Sequence, residues 1–167
     1  GVNLSASYVL FNQARYRPLD GADAFLQLVS APLKYLNAGH RLNVAADLLD
    51  VRGMRDLITF DDVRFDVQGD MRMGASGFGD RGLINKLAAP GRLTLTAAQI
   101  YPVTGSGGTI AVGDYIVKGP NGDIASYNHD AVLTLRRTDG QTPAMPYSAF
   151  GAITLAGPLI EQGGVLR

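Results

Sequence analysis

One short pattern of apolar residues recurs along the chain, and this repeat constrains the fold more than any other feature. Three apolar or small residues stand at alternate positions and a fourth apolar residue follows three positions later, as in Leu93-x-Leu95-x-Ala97-x-x-Ile100. Alternation is the period of a β-strand with one buried face. The small third residue fits a tight corner. The fixed gap after it therefore predicts that a second strand begins near the fourth residue.

The pattern repeats at steps close to one or two multiples of about twenty residues. Intermediate strands, near residues 25–28 and 110–112, are predicted to divide the two longest steps. Because one such unit cannot bury its apolar face alone, the repeat predicts a β-solenoid with a continuous apolar interior. A β-sandwich is the alternative, since its strands also alternate, but it does not require the fixed gap. The first apolar residues of the repeats are Val2, Leu42, Val63, Leu93, Leu133 and Ile153.

Three irregular segments interrupt the repeats within what reads as a single β-helical segment, residues 1–167. They lie near residues 15–39, 74–90 and 138–146, and are predicted to decorate the shaft as loops. The first is consistent either with a short helix over residues 22–30 or with an irregular coil that contains a strand over 25–29. Gly69 is predicted to mark a bend between two strands, and Asn121-Gly122 a tight turn. The 21 glycines and 8 prolines agree with many turns and short strands.

Charge and cysteine content exclude several classes of protein. The 15 basic and 15 acidic side chains balance, so nothing directs the chain toward nucleic acid. The absence of cysteine excludes disulfides and thiolate chemistry. No apolar run is long enough for a transmembrane helix, and no signal peptide is visible. Both ends read as cuts through a longer solenoid, and their unpaired strands predict end-to-end self-association.

Four segments resemble the large filamentous haemagglutinin-like proteins of Gram-negative bacteria. They are residues 2–6, 69–73, 93–105 and 160–167, and the most specific are LTLTAAQIYPVTG and IEQGGVLR. The resemblance implies a right-handed parallel β-helix shaft that is secreted to the cell surface by two-partner secretion, through an outer-membrane transporter. It implies a role in adhesion, biofilm formation or toxin delivery, with a host-cell or bacterial surface receptor or glycan as partner. The secretion domain of the family is absent, so the chain resembles interior shaft.

Few residues offer chemistry, and the best candidates for ligand contact are Tyr127 and His129 in a polar loop. A solvated turn is the simpler interpretation of that loop. His40, just before a strand, is expected at the surface. A carbohydrate-binding module would need a row of exposed aromatic residues, for which Tyr115, Tyr127 and Tyr147 are available.

Carboxylates were considered for catalysis, because parallel β-helices also host enzymes that act on polysaccharides. Asp61 and Asp62 are strand neighbours that point to opposite faces, so they are a poor acid/base pair; Asp20 and Asp23 form the other acidic pair. Alternating Arg64, Asp66, Asp70 and Arg72 suggest either a charged groove or lateral charge pairing on a wet face.

The sequence therefore predicts a structural and interaction segment with no catalytic, cofactor-binding or metal-binding residues. Calcium-binding repeats and a phosphate-binding loop are absent. An enzyme acting on polysaccharide, or a carbohydrate-binding module, is the alternative. An enzyme would require carboxylates, or a carboxylate with Arg or Lys, that converge in one lateral groove.

Overall fold

The computed structural model of the chain describes residues 1–12, 39–57, 59–74, 85–119, 121–146 and 148–167. These residues form an all-β fold of mostly parallel strands in a curled sheet, with no helix among them. The described part accordingly holds no helix long and apolar enough to cross a membrane. The strands are β1 (Val2–Asn12), β2 (Arg41–Arg52), β3 (Met54–Asp56), β4 (Asp62–Val67), β5 (Asp70–Met73), β6 (Asn85–Ala89), β7 (Arg92–Ala97), β8 (Gln99–Pro102), β9 (Gly107–Val112), β10 (Asp114–Gly119), β11 (Gly122–Tyr127), β12 (Val132–Arg137), β13 (Ala152–Ala156) and β14 (Leu159–Gly163).

The parallel strands form three ladders, which the chain visits in turn. The first ladder contains the N-terminal halves of β1 and β2, followed by β4, β7, β12 and β14. The second contains the C-terminal halves of β1 and β2, followed by β5 and β8. The third contains β3, β6, β9 and β13. Strands β10 and β11 form an antiparallel hairpin that lies between β9 and β12 in the chain.

Strand register confirms the repeat for its first five members. Val2 pairs with Leu42, Leu42 with Val63, Val63 with Leu93, and Leu93 with Leu133. The sixth assignment is wrong. Ile153 lies in β13 opposite Gly108, whereas Ile160 of β14 occupies the position next to Leu133. The fourth apolar residues of the pattern also align, since Val9, Leu49, Met71 and Ile100 follow one another in the second ladder.

The two longest steps of the repeat are single steps, so their predicted division into two turns is wrong. Leu93 pairs directly with Leu133, and the extra length includes the β10–β11 hairpin. A strand does form at residues 110–112, as the end of β9, but it pairs with β6 and β13 in the third ladder. Val2 likewise pairs directly with Leu42. The strand predicted at 25–28 lies outside the described residues.

The irregular segments have different outcomes. Residues 13–38 lie outside the described part of the chain, and so do both alternatives for 15–39. Within 74–90, Asn85–Ala89 forms β6 and not a loop, because Leu87 is buried and β6 pairs on both sides with β3 and β9. No strand forms at residues 138–146, in agreement with the predicted loop.

Gly69 separates β4 from β5, as the sequence predicted. Its amide donates to the Asp47 carbonyl at 2.9 Å, which holds the bend against the neighbouring strand β2. An added Cβ at Gly69 would lie 2.7 Å from that carbonyl oxygen. Glycine is therefore required by close approach of two backbones.

The core consists of the inward-facing residues of the stacked strands. Each fully buried Leu, Ile or Phe contributes about 1.5–3 kcal/mol through the hydrophobic effect. Phe65 is fully buried, and its ring contacts Phe11 edge-on with centroids 5.5 Å apart. The largest buried apolar side chains are Leu49, Phe65, Met71, Met73, Leu87, Leu93, Leu95, Ile100, Ile110, Leu133 and Leu135.

Candidate functional site

A polar cluster on the second ladder is the most organised set of charged side chains in the described part of the chain. We call it the Asp50 cluster; it consists of Tyr8, Asp50, Arg52 and Arg72. Asp50 lies in β2 directly opposite Arg72 of β5, while Tyr8 belongs to the adjacent β1. Side chains alternate along a strand. Asp50 and Arg72 therefore face away from the core that Leu49 and its ladder partners form.

Asp50 accepts hydrogen bonds from all three of its partners. Arg72 binds it through two nitrogens, with Nε 2.6 Å from Oδ1 and Nη2 2.8 Å from Oδ2. The Tyr8 hydroxyl donates to Oδ2 at 2.8 Å, and Arg52 Nη2 lies 3.3 Å from the same oxygen. Only 5% of the Asp50 side chain is exposed. A buried carboxylate requires such compensation, because it has lost its hydration.

The cluster shifts the pKa values of its members in a consistent way. Burial by itself raises the pKa of Asp50, but the hydrogen bonds from Arg72 and Tyr8 and the charges of the two arginines lower it overall. The hydrogen bond to Asp50 raises the pKa of Arg72. Burial, and then the bond to Asp50, raise the pKa of Tyr8. Near neutral pH the cluster is therefore a carboxylate neutralised by guanidinium groups.

A second group of polar side chains continues the same face onto β8. The Tyr101 hydroxyl donates to Asp70 Oδ2 at 3.2 Å, and Gln99 Nε2 donates to the same oxygen at 3.1 Å. Burial, followed by the charge of Asp70, raises the pKa of Tyr101. Gln99 Nε2 also donates to the Ala144 carbonyl at 2.9 Å, which attaches the 138–146 loop to β8. Gln99 is buried, and its Oε1 has no partner among the described residues.

These contacts stabilise the stack and leave little for acid or base chemistry. The carboxylate of Asp50 is bound by three side chains, and a general acid or base near neutral pH requires a pKa close to the working pH. The lowered pKa of Asp50 moves it away from that range. The cluster instead joins β1, β2 and β5 across their outer face.

The predicted ligand contacts, Tyr127 and His129, do lie together. Their rings meet edge-on with centroids 5.1 Å apart, at the end of the β10–β11 hairpin. Both residues are exposed. The Tyr127 ring covers Gly113, whose added Cβ would lie 2.7 Å from it. Asn128 anchors the loop between them, because its side chain donates to the Pro90 carbonyl at 3.1 Å. Ligand binding at this pair stays a prediction.

The predicted charged groove does not form on one strand face. The bend at Gly69 places Arg64 and Asp66 on β4 in the first ladder, and Asp70 and Arg72 on β5 in the second. Arg64 lies 3.5 Å from Asp62 on its own strand, while Arg72 pairs with Asp50. The prediction of a common face is wrong because it continued one strand through the bend.

The remaining candidates are dispersed. Asp61 accepts from the backbone amide of His40 at 3.2 Å, and Asp62 pairs with arginines. His40 is exposed, as predicted. Tyr115 and Tyr127 occupy adjacent register positions of the hairpin, so they face opposite sides of it and form no row. Asp20, Asp23 and Tyr147 lie outside the described residues.

Sequence reasoning missed Asp50, Tyr8, Tyr101 and Gln99 as members of polar networks. A signal was present, because Leu10, Asp50, Arg72 and Tyr101 each directly follow the fourth apolar residue of a repeat. The register places these four residues next to one another. Aligning the outward positions of the repeat as well as the inward ones would have found the Asp50 cluster.

The described residues contain no group of three or more histidine, aspartate and glutamate side chains that could hold a metal ion. Comparisons with protein-family models, curated proteins and solved structures found no match. The site must therefore be interpreted from its own geometry.

Proposed function

We propose that the chain is a segment of the right-handed parallel β-helical shaft of a secreted, filamentous haemagglutinin-like adhesin at the surface of a Gram-negative bacterium. The observation that carries this proposal is the constant register from Val2 through Leu42, Val63 and Leu93 to Leu133. A chain that returns to the same register position after visiting two other ladders winds around one apolar interior. Such crossovers between parallel strands are right-handed in nearly all proteins.

A role as shaft and interaction surface suits the distribution of polar groups. The two buried or half-buried carboxylates on the second ladder, Asp50 and Asp70, are occupied by hydrogen bonds within the protein. Their engagement supports a structural function, so the proposal assigns no catalytic activity to this segment. The proposed partners are a surface receptor or glycan, and an outer-membrane transporter during export.

Engineered disulfides test the β-helical winding. The chain contains no cysteine, so a Thr94→Cys, Thr134→Cys double variant has a single possible bridge. These residues are opposite each other on β7 and β12, within the Cα separation that a disulfide spans. We expect quantitative crosslinking in the folded protein. A Thr94→Cys, Thr154→Cys variant is the control, because Thr154 belongs to the third ladder. Crosslinking of the control, or none in the first variant, would contradict the winding.

Binding to cells and glycans tests the interaction role. Immobilised protein is presented to epithelial cells, to bacterial cells and to a glycan array. The Tyr127→Ala, His129→Ala double variant should lose the binding if this pair is the contact. Tyr115→Ala is the matched control on the opposite face of the same hairpin. The absence of binding to all three surfaces would refute the adhesive role while leaving the winding intact.

The polysaccharide-acting enzyme is tested separately, by the release of reducing ends or unsaturated products from a panel of polysaccharides. The proposal expects none. Activity that is lost in Asp50→Asn or Asp70→Asn would replace the adhesin assignment with an enzyme on the same scaffold.

A further inference from the structure

The two ends of the first ladder present complementary open edges. Strand β1 pairs with β2 on one side, and β14 pairs with β12 on one side; within the described residues the other side of each strand is open. Because both strands belong to one parallel ladder, the free edge of β1 and the free edge of β14 face opposite directions along it. An open edge is a template for another strand of the same direction.

Apolar side chains at core positions are exposed at both ends. Val2 and Leu4 are 43% and 47% exposed, although they pair with Leu42 and Val44, which are buried. At the other end, Ile160 pairs with buried Leu133 and is 36% exposed. The interior of the stack therefore continues to both ends without an apolar cover in the described chain.

Polar side chains on the outer face are complementary in the same register. Asn3 Oδ1 accepts from Asn43 Nδ2 at 2.8 Å. In a ladder of stacked amides, this bond directs the Asn3 NH2 group away from Asn43 and toward the open edge. Glu161 accepts from Thr134 through Oε2 at 2.9 Å, which leaves Oε1 available at the opposite edge. A donor at one end thus corresponds to an anionic acceptor at the other.

From these features we infer that the β1 edge of one molecule docks on the β14 edge of a second copy of this chain. The docked register places Val2 next to Ile160 and Asn3 next to Glu161 of the neighbouring molecule. It continues the order Leu93, Leu133, Ile160 of the first ladder. The contact joins two different surfaces, so it does not close on itself and propagates as a head-to-tail filament. The inference depends on strand register and not on the proposed adhesin function.

The test measures the mass of the 167-residue chain against concentration by sedimentation equilibrium. Wild type should grow in mass without reaching a fixed stoichiometry. Val2→Lys blocks the β1 edge and Ile160→Lys blocks the β14 edge, so each variant alone should stay monomeric. A mixture of the two retains one working edge of each kind and should form a dimer that grows no further. Asn121→Lys, which adds the same charge in the hairpin turn, should associate like wild type.

Several results would overturn the inference. They are a monomeric wild type at all concentrations, lysine variants that associate like wild type, and a mixture that stays monomeric while wild type associates. A monomeric wild type would leave the proposed function and its tests untouched.

If a lysine variant loses its strand signal in circular dichroism, a charge exchange decides instead. Asn3→Asp keeps the acceptor for Asn43 but opposes Glu161 of the neighbouring molecule, and should weaken association about fivefold. Adding Glu161→Lys should restore it. Failure of the second change to restore association would reject this interface.

Discussion

Asp50 shows how one side chain can decide the stability of an outer face. It is a charged residue within the apolar run of β2, and it is buried without being part of the core. Three side chains compensate its charge, and they reach it from β1, β2 and β5. A buried ion that loses its partner, or a partner that loses the ion, costs several times more than an exposed pair contributes.

Replacing Asp50 with Asn should therefore destabilise the protein. The substitution keeps the shape but leaves Arg72 facing a neutral amide, and we expect the free energy of unfolding in urea to fall by about 2 kcal/mol. Asp66→Asn, on the exposed face of β4, is the matched control and should change stability by less than about 0.5 kcal/mol. Equal effects of the two substitutions would show that the Asp50 cluster is not stabilising.

The same carboxylate predicts a pH dependence. The pKa of Asp50 in the folded protein lies below its unfolded value, so its contribution is complete above about pH 4 and is lost as the pH falls through the folded pKa. The stability difference between wild type and Asp50→Asn should be largest at pH 6 and should shrink toward pH 2. Urea unfolding across this range measures it. A constant difference would mean that Asp50 carries no shift.

At the scale of elements, glycine bends and an inserted hairpin maintain the register. Gly69 allows the chain to turn from β4 into β5 while the neighbouring strand passes close to it. The β10–β11 hairpin leaves the stack after β9, and the chain returns before β12 with the ladder unbroken. Extra residues are therefore accommodated at corners, while the strands themselves keep their partners.

Gly69→Ala should destabilise the protein by about 1–3 kcal/mol, because the new methyl group would collide with a backbone carbonyl that cannot rotate away. Gly107→Ala serves as the control, since its added Cβ would lie at an ordinary 3.7 Å from the nearest atom. Thermal and urea unfolding of both variants measure the difference. A neutral Gly69→Ala would show that the bend can relax.

Removal of the hairpin should leave the stack folded. The amide of Asn128 donates to the Gly113 carbonyl at 2.7 Å, so the chain leaves and re-enters at nearly the same point. With residues 114–127 replaced by two glycines, the free energy of unfolding should stay within about 1 kcal/mol of wild type. Loss of cooperative unfolding in this variant would assign the hairpin a structural role.

Across the whole molecule, stability should decrease from the middle of the stack to its ends. Strands β4 and β7 have neighbours on both sides and fully buried inward residues, whereas β1 and β14 have one neighbour each and exposed apolar residues. In stacked folds, each unit is stabilised chiefly by the units beside it. The end strands therefore open most easily.

Amide hydrogen exchange should reveal this gradient. We expect amides of β4 and β7 to exchange only by global unfolding, and those of β1 and β14 to exchange faster through local opening. The measurement is made at a concentration where the chain is monomeric. If head-to-tail association occurs at higher concentration, protection should increase selectively in β1 and β14. Uniform protection across the ladders would contradict this description.

The sequence by itself determined the strands and much of their register. Leu93, Leu95 and Ile100 could be aligned with their equivalents because a stacked parallel fold requires each inward position to match the one beside it. The bend at Gly69 and the turn at Gly122 were also predictable, since close approach and positive φ favour glycine. These are local requirements, and the order of residues states them directly.

Only the tertiary structure decided which strands neighbour one another and which polar groups meet. Steps of different length proved to be single steps, because insertion length says nothing about the point at which a chain rejoins a ladder. Ile153 had the right spacing but the wrong ladder. Asp50 and Arg72 lie 22 positions apart in the sequence and 2.6 Å apart in space. Their pairing follows from the register between strands, which spacing along one strand cannot specify.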